Sequence, residues 1–226
     1  MSVRVKAPEE LVEETLVERY KAMAHAFEPR PVDTVLRMLD IALAAALLVI
    51  TAPAMALAAA AVRCTGGPVL YRGARVGKGG VVFTMYKFRT LTPDAELRLG
   101  AYVGPELTRL TETEVTRVGR ALRAYKLDEL PQLFNIVRGE MSFVGPRPIR
   151  PVLFAELCQE IPQYWQRLVV PPGLTGFAQL RLTREMSWAE KLAHDFEYIA
   201  DRSPHLYGRV LAQTAWLVVH GHWSSD

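Results

Sequence analysis

Two adjacent carboxylates, Asp128 and Glu129, and one arginine, Arg147, are the residues of this chain whose types and spacing best suit chemistry. A carboxylate can act as a nucleophile, and a carboxylate pair can hold a hard cation such as Mg²⁺. Arg147 lies between Pro146 and Pro148, which restrict the backbone, so its guanidinium loses less entropy on forming paired hydrogen bonds to a phosphate. The combination predicts chemistry on a phosphate group.

Two short helices are predicted to position the carboxylates. Residues 115–125 form a basic helix, and residues 131–137 form a second that ends at Gly139. Pro131 suits a first helical turn and should exclude Leu130 from helical geometry. The acid pair then precedes a helix N-terminus, which favours negative charge and also binds phosphate. Acids at this position are also common helix-start signals that do no chemistry.

Residues 68–90 predict a β-hairpin, because β-branched and aromatic residues flank a glycine-rich turn. Lys87 and Arg89 alternate along its second strand and should share a face. The stretch 62–93 contains no acidic residue. This face therefore suits an anionic substrate or a lipid headgroup, although a merely solvated strand face would have the same pattern.

An apolar run covers residues 39–62, with Asp40 as its only charge and Pro53 near its middle. Its length suffices for a spanning helix, whereas a proline kink would suit a re-entrant helix whose two ends return to one membrane face. A buried core helix is a third interpretation. Basic residues, which favour the cytoplasmic side, flank the run on both sides and favour re-entry; they are Arg30, Arg37, Arg63, Arg72 and Arg75.

The remaining features bound the class of protein. The chain has 226 residues, enough for one domain with an appendage, and its net charge of +3 does not indicate a nucleic-acid partner. Cys64 and Cys158 form no disulfide or metal-binding pattern, and the histidines predict no zinc site. Residues 8–27 predict an amphipathic helix that either lies on the membrane surface or packs on the domain.

The C-terminal part predicts one strand and two helices. Residues 171–176 contain two prolines and two glycines and predict a turn, and residues 177–182 predict a strand. Residues 188–200 and 206–219 predict amphipathic helices.

A series of motifs resembles the bacterial sugar transferases, the monotopic polyprenyl-phosphate phosphoglycosyl transferases, from about residue 32 to the C-terminus. The motifs occur in the family's order, and a set of this length is far more specific than any single short match. They are Tyr86-Lys-Phe-Arg-Thr90, Thr116-Arg-Val-Gly119, Leu127-Asp-Glu-Leu-Pro-Gln-Leu133, Gly139-Glu-Met-Ser142, Gly145-Pro-Arg-Pro148 and Pro172-Gly-Leu-Thr-Gly176.

The resemblance implies transfer of a sugar phosphate from a UDP-sugar donor to polyprenyl phosphate. Asp128 matches the family's nucleophile, which forms a covalent aspartyl-phosphosugar intermediate, and Glu129 matches its catalytic partner. Mg²⁺ would bind at Asp128 and Glu129. Arg147 matches the phosphate-binding arginine, and Asp195 matches a functional acid near the C-terminus.

The sequence also departs from the family pattern. Ala52 precedes Pro53 where many members have serine, which could bond back to the broken helix. Gly73 stands where glutamine is common, and Leu91 where methionine is common. The poorly matching loop 97–114 leaves the sugar undetermined.

The predicted fold is α/β and mainly helical, with a re-entrant membrane helix, amphipathic interfacial helices and a small β-hairpin in a cytosolic catalytic domain. The expected units are an N-terminal segment, 1–31, a kinked membrane helix, 32–63, and the catalytic domain, 64–226. The expected location is the cytoplasmic face of a bacterial inner membrane, in contact with lipids and with a homodimer as one option. The rival functions are a membrane-associated, Mg²⁺-dependent nucleotide-sugar diphosphate hydrolase and a non-catalytic membrane scaffold.

Overall fold

A computed structural model describes residues 30–95, 98, 110–181 and 186–220. The amphipathic helix expected at residues 8–27 lies outside them. The described part is mostly helical with small sheets, as the sequence predicted. Its helices and strands are α1 Pro31–Arg63, β1 Leu70–Val76, β2 Val82–Phe88, α2 Arg117–Ala124, α3 Gln132–Arg138, β3 Ser142–Val144, α4 Pro151–Glu160, β4 Gly173–Thr175, α5 Phe177–Arg181, α6 Trp188–Asp201 and α7 Pro204–Val219.

The apolar run forms most of one long helix, α1, of 33 residues. Its mean hydropathy reaches 2.4, and by length and composition it could cross a membrane. The helical backbone continues through Pro53, so the proline lies inside the helix without interrupting it. Two residues earlier, the Thr51 hydroxyl donates to the Leu47 carbonyl at 2.6 Å. Such a bond to the carbonyl four residues back often bends a helix. Thr51 therefore provides the helix-bonding hydroxyl that Ala52 lacks and that a serine at position 52 would have provided.

Both halves of α1 pack on the rest of the protein. In the first half, Leu36 and Ala44 are buried in a core cluster that also contains Leu133 of α3. In the second half, Ala58 and Val62 are buried in a separate cluster that contains side chains of β2 and α2. The opposite side of the helix exposes large apolar side chains. They are Val35, Met38, Ile41, Leu43, Val49, Ile50 and Leu57.

Two small sheets support the helices. The predicted hairpin is confirmed: β1 and β2 are antiparallel, with a register that runs from Leu70↔Phe88 to Val76↔Val82. The second sheet joins β3 and β4 in parallel and was not predicted. The predicted helices around the carboxylates and near the C-terminus are confirmed as α2, α3, α6 and α7.

The strand expected at residues 177–182 is wrong, because residues Phe177–Arg181 form helix α5. The strand comes earlier, at Gly173–Thr175, inside the segment that was interpreted as a turn. Gly173 donates its backbone N–H to the Pro146 carbonyl at 2.8 Å, and Gly145 donates to the Thr175 carbonyl at 2.9 Å. A Cβ on either glycine would collide with the facing backbone. The glycines that signalled a turn instead permit this close pairing.

Candidate active site

Asp128 and Glu129 lie in a 3-10 turn, Leu127–Glu129, directly before α3. Lys126 enters this turn with φ 56° and ψ 19°, a left-handed conformation that is uncommon for a residue with a side chain. Leu130 has φ −53° and ψ −36°, so the expectation that Pro131 would exclude it from helical geometry is wrong. The Leu130 N–H bonds to the Leu127 carbonyl and carries the turn into the helix.

The hairpin brings Lys87 to the acid pair. Its Nζ lies 3.0 Å from Glu129 Oε1, and each side chain is 25% exposed. Burial alone would raise the pKa of Glu129, but the positive charges of Lys87 and Lys126 outweigh it and lower the pKa. Arg147 lowers it further. Glu129 is therefore held in its charged form.

Asp128 has the opposite environment. It is buried, with 7% exposed, and this desolvation together with the charge of Glu129 raises its pKa. Lys87, Lys126 and Arg123 oppose the shift. Arg123 comes from α2, where its Nε donates to the Thr90 hydroxyl at 3.0 Å. Neighbouring carboxylates whose pKa values are pushed apart are suited to different roles in one reaction.

Arg147 is positioned through its backbone. Its carbonyl accepts a hydrogen bond of 3.0 Å from Arg167 Nη2. The guanidinium of Arg167 also donates through Nε to Asp195 Oδ2 at 2.9 Å and through Nη1 to the Tyr164 hydroxyl at 3.0 Å. The Arg167 and Asp195 side chains are 5% and 4% exposed. Residues 145–148, which carry Arg147, are called the arginine turn below. Asp195 is thus buried and contacts this turn through Arg167.

Lys87 and Arg89 do not share an open face, which corrects the expectation from strand alternation. Arg89 follows the last residue of β2 and is buried. Its Nη2 donates to the Thr65 hydroxyl at 2.7 Å and to the Val62 carbonyl at 3.3 Å. Arg89 therefore binds the C-terminal end of α1, while Lys87 serves the acid pair.

The other predicted positions frame the site. Pro146 contributes its carbonyl to the bond from Gly173 and so joins the arginine turn to β4. Pro148, at the end of the same turn, is half-buried. Pro53 lies on the exposed side of α1 and takes no part in the acid site.

The acid pair suits a Mg²⁺ ion that takes its remaining ligands from water and from the bound substrate. Among the described residues there is no group of three or more acids, histidines and cysteines that could hold a metal. Mg²⁺ commonly binds one or two carboxylates, with waters and substrate phosphates as its other ligands. Asp128 and Glu129 would supply the carboxylates of such a site.

Three charged side chains at the candidate site were not assigned a role from the sequence. Lys126 directly precedes the Leu127–Leu133 motif, and its residue type gives no signal of its left-handed backbone. Arg123 belongs to the predicted basic helix, and only the fold brings it near Asp128. No local sequence pattern marks Arg167 as part of the site. Its hydrogen-bond partners, Asp195 and the Arg147 carbonyl, lie in other segments of the chain.

The long apolar helix α1 suggests that the protein associates with a membrane. The family model described as bacterial sugar transferase matches residues 32–221. The chain belongs to this family, as its motifs indicated.

Curated relatives agree with this assignment. The chain is 40% identical over 176 residues to a UDP-glucose:undecaprenyl-phosphate glucose-1-phosphate transferase of Caulobacter vibrioides, covering 74% of this chain and 63% of the relative. It is 33% identical over 200 residues to a UDP-N-acetylgalactosamine-undecaprenyl-phosphate N-acetylgalactosaminephosphotransferase of Aeromonas hydrophila, covering 87% and 45%. It is 35% identical over 183 residues to the uncharacterized sugar transferase EpsL of Bacillus subtilis, covering 79% and 84%. The chain thus spans less than two thirds of the length of the first two relatives.

Proposed function

We propose that this protein transfers a sugar 1-phosphate from a UDP-sugar to undecaprenyl phosphate, through a covalent intermediate on Asp128. The observation that carries the proposal is the buried Asp128 beside the Glu129–Lys87 pair. The names of the relatives from Caulobacter and Aeromonas support the donor and acceptor classes.

In the first step, a carboxylate oxygen of Asp128 attacks the phosphorus that carries the sugar. A bond forms between this oxygen and phosphorus, and the bond from phosphorus to the bridging oxygen breaks. Uridine monophosphate leaves with the electron pair. In the second step, a phosphate oxygen of undecaprenyl phosphate attacks the same phosphorus and releases the Asp128 carboxylate. The reaction splits one difficult transfer into two easier ones and needs no other reactant.

The chain supplies positive charge where the phosphate groups would gather. Arg147 offers a guanidinium suited to a phosphate, and its backbone is fixed by the bond from Arg167. Lys87 holds Glu129 charged and in one place through the 3.0 Å ion pair. Asp128 and Glu129 would hold a Mg²⁺ ion, which when bound neutralises charge on the diphosphate.

Burial of Asp128 favours the attack. A desolvated carboxylate is less stable than a hydrated one, as its raised pKa indicates. At neutral pH the surrounding cations Lys87, Lys126 and Arg123 favour the charged form that must attack. The site therefore presents an ionised and poorly solvated nucleophile.

The packing of α1 supports a monotopic arrangement, in which both ends of the helix stay on one membrane face. A 33-residue helix is about 50 Å long and would place its ends on opposite sides of a ~30 Å hydrocarbon core if it crossed it. Here Arg37 near the start donates to the Ile136 carbonyl of α3, and Val62 near the end is buried against β2 and α2. Contacts of both ends with the same folded unit favour an arrangement in which both ends stay on one membrane face. We place that unit, and therefore the acid site, on the cytoplasmic face of a bacterial inner membrane.

A transfer assay with purified protein tests the proposal. It uses Mg²⁺, undecaprenyl phosphate and a panel of radiolabelled UDP-sugars, and compares wild type with Asp128→Asn. Asp201→Asn, which removes an exposed acid at the end of α6, is the matched control. The proposal predicts lipid-linked product from wild type and the control only. Cleavage of the donor without acceptor would identify a hydrolase, and product from Asp128→Asn would remove Asp128 as the nucleophile.

A further inference from the structure

Strand β1 ends beside the arginine turn. The Val76 N–H donates to the Ile149 carbonyl at 3.0 Å, which joins the hairpin to the segment just after Arg147. Arg75 and Arg150 are the residues adjacent to this bonded pair. The fold therefore brings two further arginines to the edge of the turn that carries Arg147.

Tyr71 is folded back toward the same place. A Cβ at position 73 would collide with the Tyr71 hydroxyl, so this side-chain position requires the glycine. Tyr71, Gly73 and Arg75 alternate along β1 and so lie on one face of the strand, which puts the hydroxyl, over Gly73, on the side of Arg75. Gly73, where the family commonly has glutamine, is thus linked to the placement of Tyr71 and Arg75.

The arginines form a positively charged cluster. Burial lowers the pKa of Arg75, the Tyr71 hydroxyl raises it, and the charges of Arg150 and Arg147 lower it further. Within the part of the chain that the structure describes, the groups that shift this pKa include no carboxylate. Like charges held together in this way favour binding of an anion, because each charge that is neutralised removes a repulsion.

The arginine cluster extends the candidate active site beyond Arg147. The charge of Arg147 lowers the pKa of Glu129 and also that of Arg75, so it acts on both the acid pair and the cluster. A diphosphate whose sugar-bearing phosphate lies at Asp128 has a second phosphate, which becomes the phosphate of the departing nucleotide. Because the Val76–Ile149 bond holds Arg75 next to the turn that carries Arg147, a diphosphate bound by Arg147 could place that group against Arg75.

We propose that Arg75, Arg150 and the Tyr71 hydroxyl form a subsite, beyond Arg147, that binds the phosphate of the nucleotide that leaves. The subsite rests on the proposed transfer and gives it a named place for the leaving group. Its chemistry suits any phosphate monoester, and the lipid phosphate of the acceptor is the competing source.

Equilibrium binding of uridine monophosphate separates these sources, because it requires no turnover. We would titrate full-length protein in detergent by calorimetry and compare wild type with Arg75→Gln, Arg75→Lys and Gly73→Ala. Arg72→Gln is the control, since Arg72 is exposed on the same strand. Loss of one charged contact of about 1.5–3 kcal/mol weakens binding by roughly 10- to 100-fold.

The subsite predicts that Arg75→Gln weakens binding of uridine monophosphate at least about tenfold, with a smaller loss in Arg75→Lys and Gly73→Ala and no change in Arg72→Gln. In steady-state assays the donor KM rises and the acceptor KM does not. Unchanged nucleotide affinity in a folded Arg75→Gln or Arg75→Lys would overturn the subsite. A rise in the acceptor KM alone would assign the cluster to the lipid phosphate and also overturn it.

The nucleotide-binding experiment and the transfer assay can fail independently of each other. Asp128→Asn should still bind uridine monophosphate, whether or not the chain transfers sugar phosphate. If wild type binds the nucleotide through Arg75 but makes no lipid product with any donor, only the transfer is refuted. If it makes product while Arg75→Gln binds the nucleotide normally, only the subsite is refuted.

Discussion

The guanidinium of Arg167 joins Asp195 to the backbone of Arg147: its Nε lies 2.9 Å from Asp195 Oδ2, and its Nη2 lies 3.0 Å from the Arg147 carbonyl. The Arg167 and Asp195 side chains are almost completely buried. Asp195 thus contacts the Arg147 backbone only through Arg167, and we propose that it positions the arginine that would bind phosphate.

Removing one member of this pair should be far more damaging than replacing both. Asp195→Leu leaves the Arg167 charge buried and unpaired, and we expect a loss of about 3–5 kcal/mol in the free energy of unfolding. Replacing both, with Arg167→Met and Asp195→Leu, should recover most of that loss. Denaturant titration of the detergent-solubilised protein measures both effects.

Activity should not recover with stability. In the double variant the Arg147 carbonyl has lost its Arg167 donor, so we expect transfer to stay at least about tenfold below wild type. A stable double variant with normal activity would show that Arg167 and Asp195 do not position Arg147.

The local elements were accessible from the sequence, whereas their contacts were not. Helix α3 was recognised from Pro131 and its Gly139 end, and the hairpin from its glycine-rich turn. The misplaced strand at 177–182 shows the limit, because pairing of β3 with β4 depends on contacts between Gly145 and Gly173 that are distant in sequence. Local patterns cannot encode such a partner.

The candidate active site was likewise only partly predictable from the sequence. Asp128, Glu129 and Arg147 lie in motifs that are visible in the sequence, but the pairing of Lys87 with Glu129 requires the hairpin to pack on the 3-10 turn. Arg89 was grouped with Lys87 by strand alternation, yet the strand ends at Phe88 and Arg89 binds the end of α1. The packing of the hairpin against the end of α1, which strand alternation does not reveal, buries Arg89.

Asp128→Asn should make the protein more stable at neutral pH while abolishing transfer. Since the folded state raises the pKa of Asp128, its charged form destabilises that state above the folded pKa. Asparagine has no such charge, so we expect a gain on the order of 1 kcal/mol at pH 7. The gain should fade as the pH falls and wild-type Asp128 becomes protonated.

Thermal unfolding of wild type and Asp128→Asn between pH 4 and pH 8 measures this difference. The sign is diagnostic, because a carboxylate stabilised by its neighbours would make the asparagine variant less stable at pH 7 and more nearly equal at pH 4.

Lys87 should control the acid side of the pH profile. Lys87 lowers the pKa of both Glu129 and Asp128, so Lys87→Met should raise both. Asp128, whose pKa is already raised in the folded protein, would then take up a proton at a still higher pH, and activity should begin to fall at a higher pH than in wild type. Lys87→Arg keeps the charge and should retain most of the wild-type profile. An acid limb that does not move in Lys87→Met would exclude both carboxylates as the titrating group.

Asp40, the single charge within the apolar run, should anchor α1 to the domain. Its Oδ1 accepts hydrogen bonds from the Ser142 hydroxyl at 2.9 Å, the Phe143 N–H at 3.0 Å and the Tyr207 hydroxyl at 2.7 Å. Asp40→Ala leaves these buried donors unsatisfied and should cost about 3 kcal/mol or more.

Tyr207→Phe removes one donor and leaves Asp40 with its other two partners, so its cost should be about 1–3 kcal/mol. Denaturant titration compares the two variants. Equal costs would contradict the anchoring role of Asp40, because that role requires the shared acceptor to matter more than one donor.

The most direct test of the proposed mechanism is to trap the covalent intermediate on Asp128. Wild type is incubated with Mg²⁺ and a UDP-sugar labelled with ³²P in the sugar-bearing phosphate, without acceptor, and the denatured protein is digested and its peptides are counted. The account predicts label on the peptide that contains Asp128, loss of that label when undecaprenyl phosphate is added, and no label in Asp128→Asn. Lipid product formed by wild type with no labelled protein, or label that persists in Asp128→Asn, would contradict it.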